Sequence, residues 1–222
     1  MNCHVKSMYF QLFMDPAAAF LSLLLVLAVG SWTSVAAGRP QLCGNSVQQA
    51  LKLTRLIQKE SVDIIKTYKL SQGDMSELLC KVSVNNIPDP NISGLESSER
   101  IVSIYTHLQE FFPHFRRVYE QQTDLQLPSS PLLTDLETID TRSRWLAVHI
   151  KDFYQSLFPN LPLPEPAGGA TSLPPPQNVF QQKVYGCAVL KTFKEFLSNV
   201  SKELRTLKNS VCRRRVQTNM FF

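Results

Sequence analysis

Apolar residues recur along this chain at alternating steps of three and four, the spacing that keeps them on one side of an α-helix. From Ser46 to Leu70 the inward set is Val47, Leu51, Thr54, Ile57, Ser61, Ile64 and Tyr68, with Lys52, Arg55, Lys59 and Lys66 on other faces. Gly73 supports a stop just beyond Leu70. A second set, Ile101, Ile104, Leu108, Phe111, Phe115 and Val118, predicts a helix over 98–121. Pro113 is expected to kink it or divide it in two, because proline removes a backbone donor and crowds the preceding turn. His107 and His114 are expected at the surface or the edge of the core. Ser130-Pro131 then signals a third start, a capping hydroxyl followed by proline at the first helical position. Leu132, Leu136, Ile139, Ser143, Leu146, Ile150, Phe153 and Leu157 follow on one stripe, with Trp145 beside it, expected to close the core, with a partner-facing position as the alternative. The last helix should open at Asn178, with Gln181 as its capping-box partner. Its inner stripe is Val179, Gly186, Leu190, Phe193, Leu197 and Leu204.

The links between these helices run long, short, long. The first covers roughly 71–97, the second is the octapeptide TDLQLPSS, and the third is the proline-rich stretch 159–177. That order suits an all-α, up-up-down-down four-helix bundle, in which the first and third links run back along the bundle. A 25-residue helix is about 37 Å long, and about 19 extended residues reach roughly 60 Å, so the third link is long enough.

Composition adds a compartment. The 222 residues are 44% hydrophobic and 18% charged, enough apolar content for a core. An apolar run over 16–29 falls short of the ~20 residues that span a bilayer. Small residues at Ser34, Ala36 and Ala37 follow it, so 1–37 is expected to be a signal peptide, with Met14 as an alternative start. A membrane anchor is the competing reading and suits the flanks less well. Residues 38–212 then form the helical domain and 213–222 a basic, loose tail. Lys6 and Asp15 cancel, so the net charge of +5 survives cleavage. That mild basicity fits dwelling on acidic extracellular glycans, and it lacks the density of a nucleic-acid binder. Neither a nucleic acid, a cofactor, a metal nor membrane insertion is expected.

Once Cys3 leaves, Cys43, Cys80, Cys187 and Cys212 remain, an even set with three possible pairings. The expected topology puts Cys80 and Cys187 at one end and Cys43 and Cys212 at the other, which favours those two pairs. Asn91-Ile92-Ser93 is a glycosylation sequon in a link; Asn199-Val200-Ser201 is a weaker one inside a helix.

No phosphate loop, HExxH, GxSxG or paired-carboxylate motif is present. Surface recognition is therefore expected rather than catalysis. A helical carrier of an apolar ligand is the alternative, and a secreted hydrolase a third reading. Phe180 points about 110° from the centre of its helix's inner stripe, with Lys183 about 50° out on the same side. Helical phase leaves two outcomes for the ring: an exposed contact, or a residue covered by the preceding loop.

The segment VFQQKVYGC (179–187) resembles the start of the last helix in leukaemia inhibitory factor, and its F-x-x-K pattern is shared with oncostatin M, ciliary neurotrophic factor and cardiotrophin-like cytokines. With the four helices and the proline-rich third link, the chain resembles an interleukin-6-family long-chain helical cytokine. The resemblance implies a secreted ligand that assembles receptors to trigger kinase-coupled signalling. It implies that Phe180 and Lys183, with Gln182 between them, contact a leukaemia inhibitory factor receptor-like chain. It also implies a Cys80–Cys187 bond, and a second surface on the first and third helices for the shared signal-transducing receptor chain. Arg55, Lys59 and Lys66 are the exposed candidates there. A further non-signalling receptor subunit is left open. The third helix lacks the cysteine that leukaemia inhibitory factor uses to hold its N-terminal segment, so Cys43–Cys212 rests on topology alone.

Overall fold

Helix α1 runs from Arg39 to Gln72, and all seven of its predicted inward residues are buried. The computed structural model describes residues 39–163 and 173–212, with side chains from 45 to 163 and from 173 to 210. Gly73 ends α1 at φ +84°, a left-handed conformation that glycine adopts without a Cβ clash. The first link then makes one unpredicted helical turn, Ser76–Leu79, before continuing to α2, Ser97–Leu125. A short turn leads to α3, Pro131–Leu157, and α4 spans Val179–Leu207, followed by a wider turn over Lys208–Cys212. No strand occurs among the described residues.

The side-chain contacts between helices set their directions. Near the end of α1, Gln72 Nε2 donates to Gln122 Oε1 near the end of α2, so these two helices run parallel. Arg100 at the start of α2 pairs with Glu203 at the end of α4, while Gln121 near the end of α2 meets Gln177 just before α4. Tyr68 and Lys183 meet at one end of α1 and α4, Gln48 and Lys208 at the other. The short turn reverses α3 against α2. The result is the up-up-down-down bundle that the link lengths implied.

Its centre is filled by rings. Phe193 on α4 lies edge-on to Phe111 and Phe115 of α2, with centroids 5.0 and 4.7 Å apart, and Phe196 tilts against Phe111 at 5.4 Å. Burying a side chain of this size stabilises a fold by about 1.5–3 kcal/mol. The stripes of α2 and α3 are buried at every predicted position.

Several details differ from expectation. Helix α2 is not divided at Pro113 but runs on as one helix, with Phe111, Phe112 and Phe115 around the proline buried in the core. His114 is buried rather than peripheral. Trp145 is 59% exposed: it lies about 100° from Leu146, and Ser143, Leu146 and Ile150 already occupy the inner face. Ser130 precedes α3 without a side-chain capping bond, so Pro131 alone marks that start. Among the described residues, no helix is long and apolar enough to cross a membrane. The predicted signal peptide and basic tail lie outside the described residues.

Candidate functional site

The start of α4 is locked by a reciprocal cap. Asn178 Oδ1 accepts from the Gln181 N–H at 2.9 Å, and Gln181 Oε1 accepts from the Asn178 N–H at 3.0 Å. Both are backbone donors that the helix itself leaves unpaired. This first turn overhangs the core: Val184 is the first buried residue of the helix. Val179, assigned to the inner stripe by its phase, is consequently 52% exposed, and Phe180 is 60% exposed. The described part of the preceding loop does not cover the ring. Lys183, one turn on, is half-buried. Gln182 is engaged within the fold, its Nε2 donating to the Gln177 carbonyl at 3.1 Å.

Beneath this turn lies a set of polar contacts that the sequence did not reveal. The Tyr68 hydroxyl donates to the Lys183 carbonyl at 2.9 Å and accepts from Gln122 Nε2 at 3.3 Å. Gln122 in turn accepts from Gln72 at 2.8 Å. Burial pushes the Tyr68 phenol well above its ordinary pKa, so it remains a donor. One helical turn deeper, the Tyr185 hydroxyl lies 2.6 Å from His114 Nδ1. Burial lowers the His114 pKa to about 4. It also raises that of Tyr185, against the opposing effect of the Arg117 charge. The pair is thus a neutral phenol hydrogen-bonded to a neutral imidazole at neutral pH.

Cys187 forms a disulfide with Cys80, which fixes the first link to this same end of α4 and fits an oxidising compartment. Lys191 Nζ donates to the Cys80 carbonyl at 2.6 Å, and Asn199 Nδ2 to the Pro90 carbonyl at 3.0 Å. Asn199 is therefore a half-buried strut, whereas Asn91 is exposed in the link. Cys43 falls inside α1 rather than before it, and Cys212 closes the wide turn. Their side chains lie outside the described set, and so does their proposed pairing.

No protein-family model matches the sequence, and no curated protein does so. The interleukin-6-family resemblance therefore rests on the residues themselves.

Arg55, Lys59 and Lys66 are exposed on α1. A separate apolar surface flanks the ion pair between Glu60 of α1 and Arg142 of α3. Leu56 lies one turn before Glu60 and is 44% exposed, while Trp145 lies three residues beyond Arg142. The two helices are antiparallel, so both residues sit on the same side of that pair. Val148, also exposed, extends the surface along α3.

Ser98, Glu99, Ser103 and His107 line one groove at the start of α2. Their bonds are structural. His107 Nδ1 is 2.7 Å from the Ser103 carbonyl and donates to it, which leaves that nitrogen unable to accept a proton from the Ser103 hydroxyl. Glu99 accepts from the N–H groups of Leu95 and Glu96, which hold its carboxyl below the usual range. Among the described residues, no group of three or more His, Cys, Asp or Glu is arranged to hold a metal.

Proposed function

We propose that this chain is a secreted signalling ligand that brings two receptor chains together, in the manner of the interleukin-6-family cytokines it resembles. One contact is made by Phe180 and Lys183 with a leukaemia inhibitory factor receptor-like chain. The observation that carries this reading is a large aromatic left 60% exposed on a capped, disulfide-tethered helix start. Exposed rings held in this way are typical of interface hot spots, and a pre-set pair loses little freedom on binding. The second contact, with the shared signal-transducing chain, uses the α1–α3 surface around Leu56, Trp145 and Val148. Its apolar character gives it a stronger claim than the neighbouring cations. The ring-filled bundle centre favours a ligand over a carrier that opens around an apolar guest.

Receptor binding by Phe180→Ala and Lys183→Ala tests the first contact. Loss of about 2 kcal/mol, roughly a 30-fold weakening, is expected for the phenylalanine, with the helical circular-dichroism spectrum retained. Unchanged binding by both variants would remove the assignment. Trp145→Ala should weaken binding to the second chain and leave the first untouched.

A further inference from the structure

Charge is spread unevenly over the four helices. From Ser46 onward α1 carries five cations against two carboxylates, and α4 has the same balance; α2 and α3 each carry three cations against four carboxylates. Helices α1 and α4 are neighbours, joined at one end through Tyr68 and Lys183 and at the other through Gln48 and Lys208. Their excess charge therefore adds on one side of the bundle.

Ion pairing sharpens the asymmetry. Two of the four carboxylates on this side are engaged by arginines of the other helices, Glu60 by Arg142 and Glu203 by Arg100. On α2 and α3, Arg116 pairs with Glu120 and Arg144 with Asp140, each within one helix. Among the described residues, Lys69 is the one cation of α1 and α4 in an ion pair, with Glu77 of the link. The remaining described cations of these two helices make no ion pair, with Asp63 the one exposed carboxylate within the α1 row.

They also form a line. Lys52, Lys59 and Lys66 recur every seven residues with Arg55 between them, an exposed row about 21 Å long. Beside it, a groove of about 730 Å³ separates α1 from α4 and is crossed by the link. Lys81, Lys191 and Lys194 line it, with Glu195 as the lone carboxylate. Lys191 is held in place by the Cys80 carbonyl.

We propose that this face binds a linear sulfated polysaccharide, which lies along the α1 row and seats sulfate groups against the lysines of the groove. An exposed row in which four cations outnumber one carboxylate complements a linear polyanion in charge and shape. The disulfide fits an oxidising compartment, where sulfated glycans are at hand and nucleic acids are not. Single-stranded nucleic acids are bound by stacking bases on aromatic rings. Phe180 is the exposed aromatic of these two helices, and it lies beyond the groove at the helix start. The inference is independent of the receptor reading, and it gives Arg55, Lys59 and Lys66 a role apart from the shared receptor chain.

The test applies the full secreted chain to immobilised heparin. Lys59→Glu/Lys194→Glu should elute at clearly lower salt than the parent and bind heparin at least tenfold more weakly in solution. Arg116→Glu/Lys151→Glu makes the same charge change on α2 and α3 and should shift little. Parent binding should fall on the order of 100-fold over a fourfold rise in salt if four counterions are released. Circular dichroism verifies folding, and Lys59→Gln/Lys194→Gln provides the same comparison if the reversal misfolds. Equal shifts from the two charge-reversed pairs, or none from either, would overturn the proposal. So would equal binding to desulfated heparin, or tighter binding to single-stranded DNA or anionic vesicles than to heparin.

Discussion

The Tyr68 hydroxyl occupies the space where a side chain at Gly186 would have to begin, and from there it donates to the Lys183 carbonyl. A Cβ at position 186 would meet the phenol oxygen and its ring carbon together. Gly186→Ala should therefore destabilise the fold by about 1–3 kcal/mol, as overpacking does elsewhere. Tyr68→Phe should cost about 1 kcal/mol through the lost hydrogen bond. The two losses should be less than additive in the double variant, because the first substitution already displaces the ring. Urea denaturation of the three variants measures this.

His114 makes stability depend on pH. Its ordinary pKa is about 6.5, and burial beside Tyr185 brings the folded value to about 4. Between those values the unfolded chain binds the proton and the folded chain does not. Stability therefore falls as pH drops through this window, and the contribution is flat above it. Between pH 7 and pH 5 the loss from this one group is up to about 2 kcal/mol. Denaturation midpoints of the parent and His114→Gln at the two pH values should differ by that increment. Equal pH responses would show that His114 titrates normally.

The Cys80–Cys187 bond closes 107 residues of sequence. By the chain-entropy relation, a loop of this size contributes about 4–5 kcal/mol. Cys80→Ser/Cys187→Ser should lose stability of that order under non-reducing conditions. It should also weaken receptor binding, because the helix start that presents Phe180 loses its tether.

The two sequons should behave differently. Asn91 is exposed, with its side-chain amide donating to nearby Asp89. Asn199 spends its amide nitrogen on the Pro90 carbonyl from within α4. Intact-mass measurement of the protein expressed through a secretory pathway should show glycan lost in Asn91→Gln and unchanged in Asn199→Gln. The second variant should instead be less stable by about 1 kcal/mol.

Helical spacing made the core legible. Every predicted inward residue of α1, α2 and α3 is buried, because a stripe of three- and four-residue steps has one low-energy way to face a bundle. Link lengths carried the topology, and the Asn178–Gln181 cap was readable from residue type and spacing. What escaped depended on where an element ends in space. Val179 has an inward phase but lies past the end of the core, and the same overhang settles the exposure of Phe180. Trp145 was misplaced because size favours burial, while the neighbouring inner positions were already filled. His114 and Tyr185 are far apart in sequence, and no local pattern signals that they meet. The roles of Tyr68 and Gly186 likewise arise only when α1 and α4 come together.

The first link joins α1 to α2, yet its strongest attachments are to neither. A disulfide, the Lys191 bond to the Cys80 carbonyl and the Asn199 bond to the Pro90 carbonyl all fasten it to α4. In partial unfolding, this strap should travel with the last helix as one cooperative piece while α1 peels away. Its amide protons should then exchange with solvent in step with those of α4, although more than a hundred residues separate them along the chain.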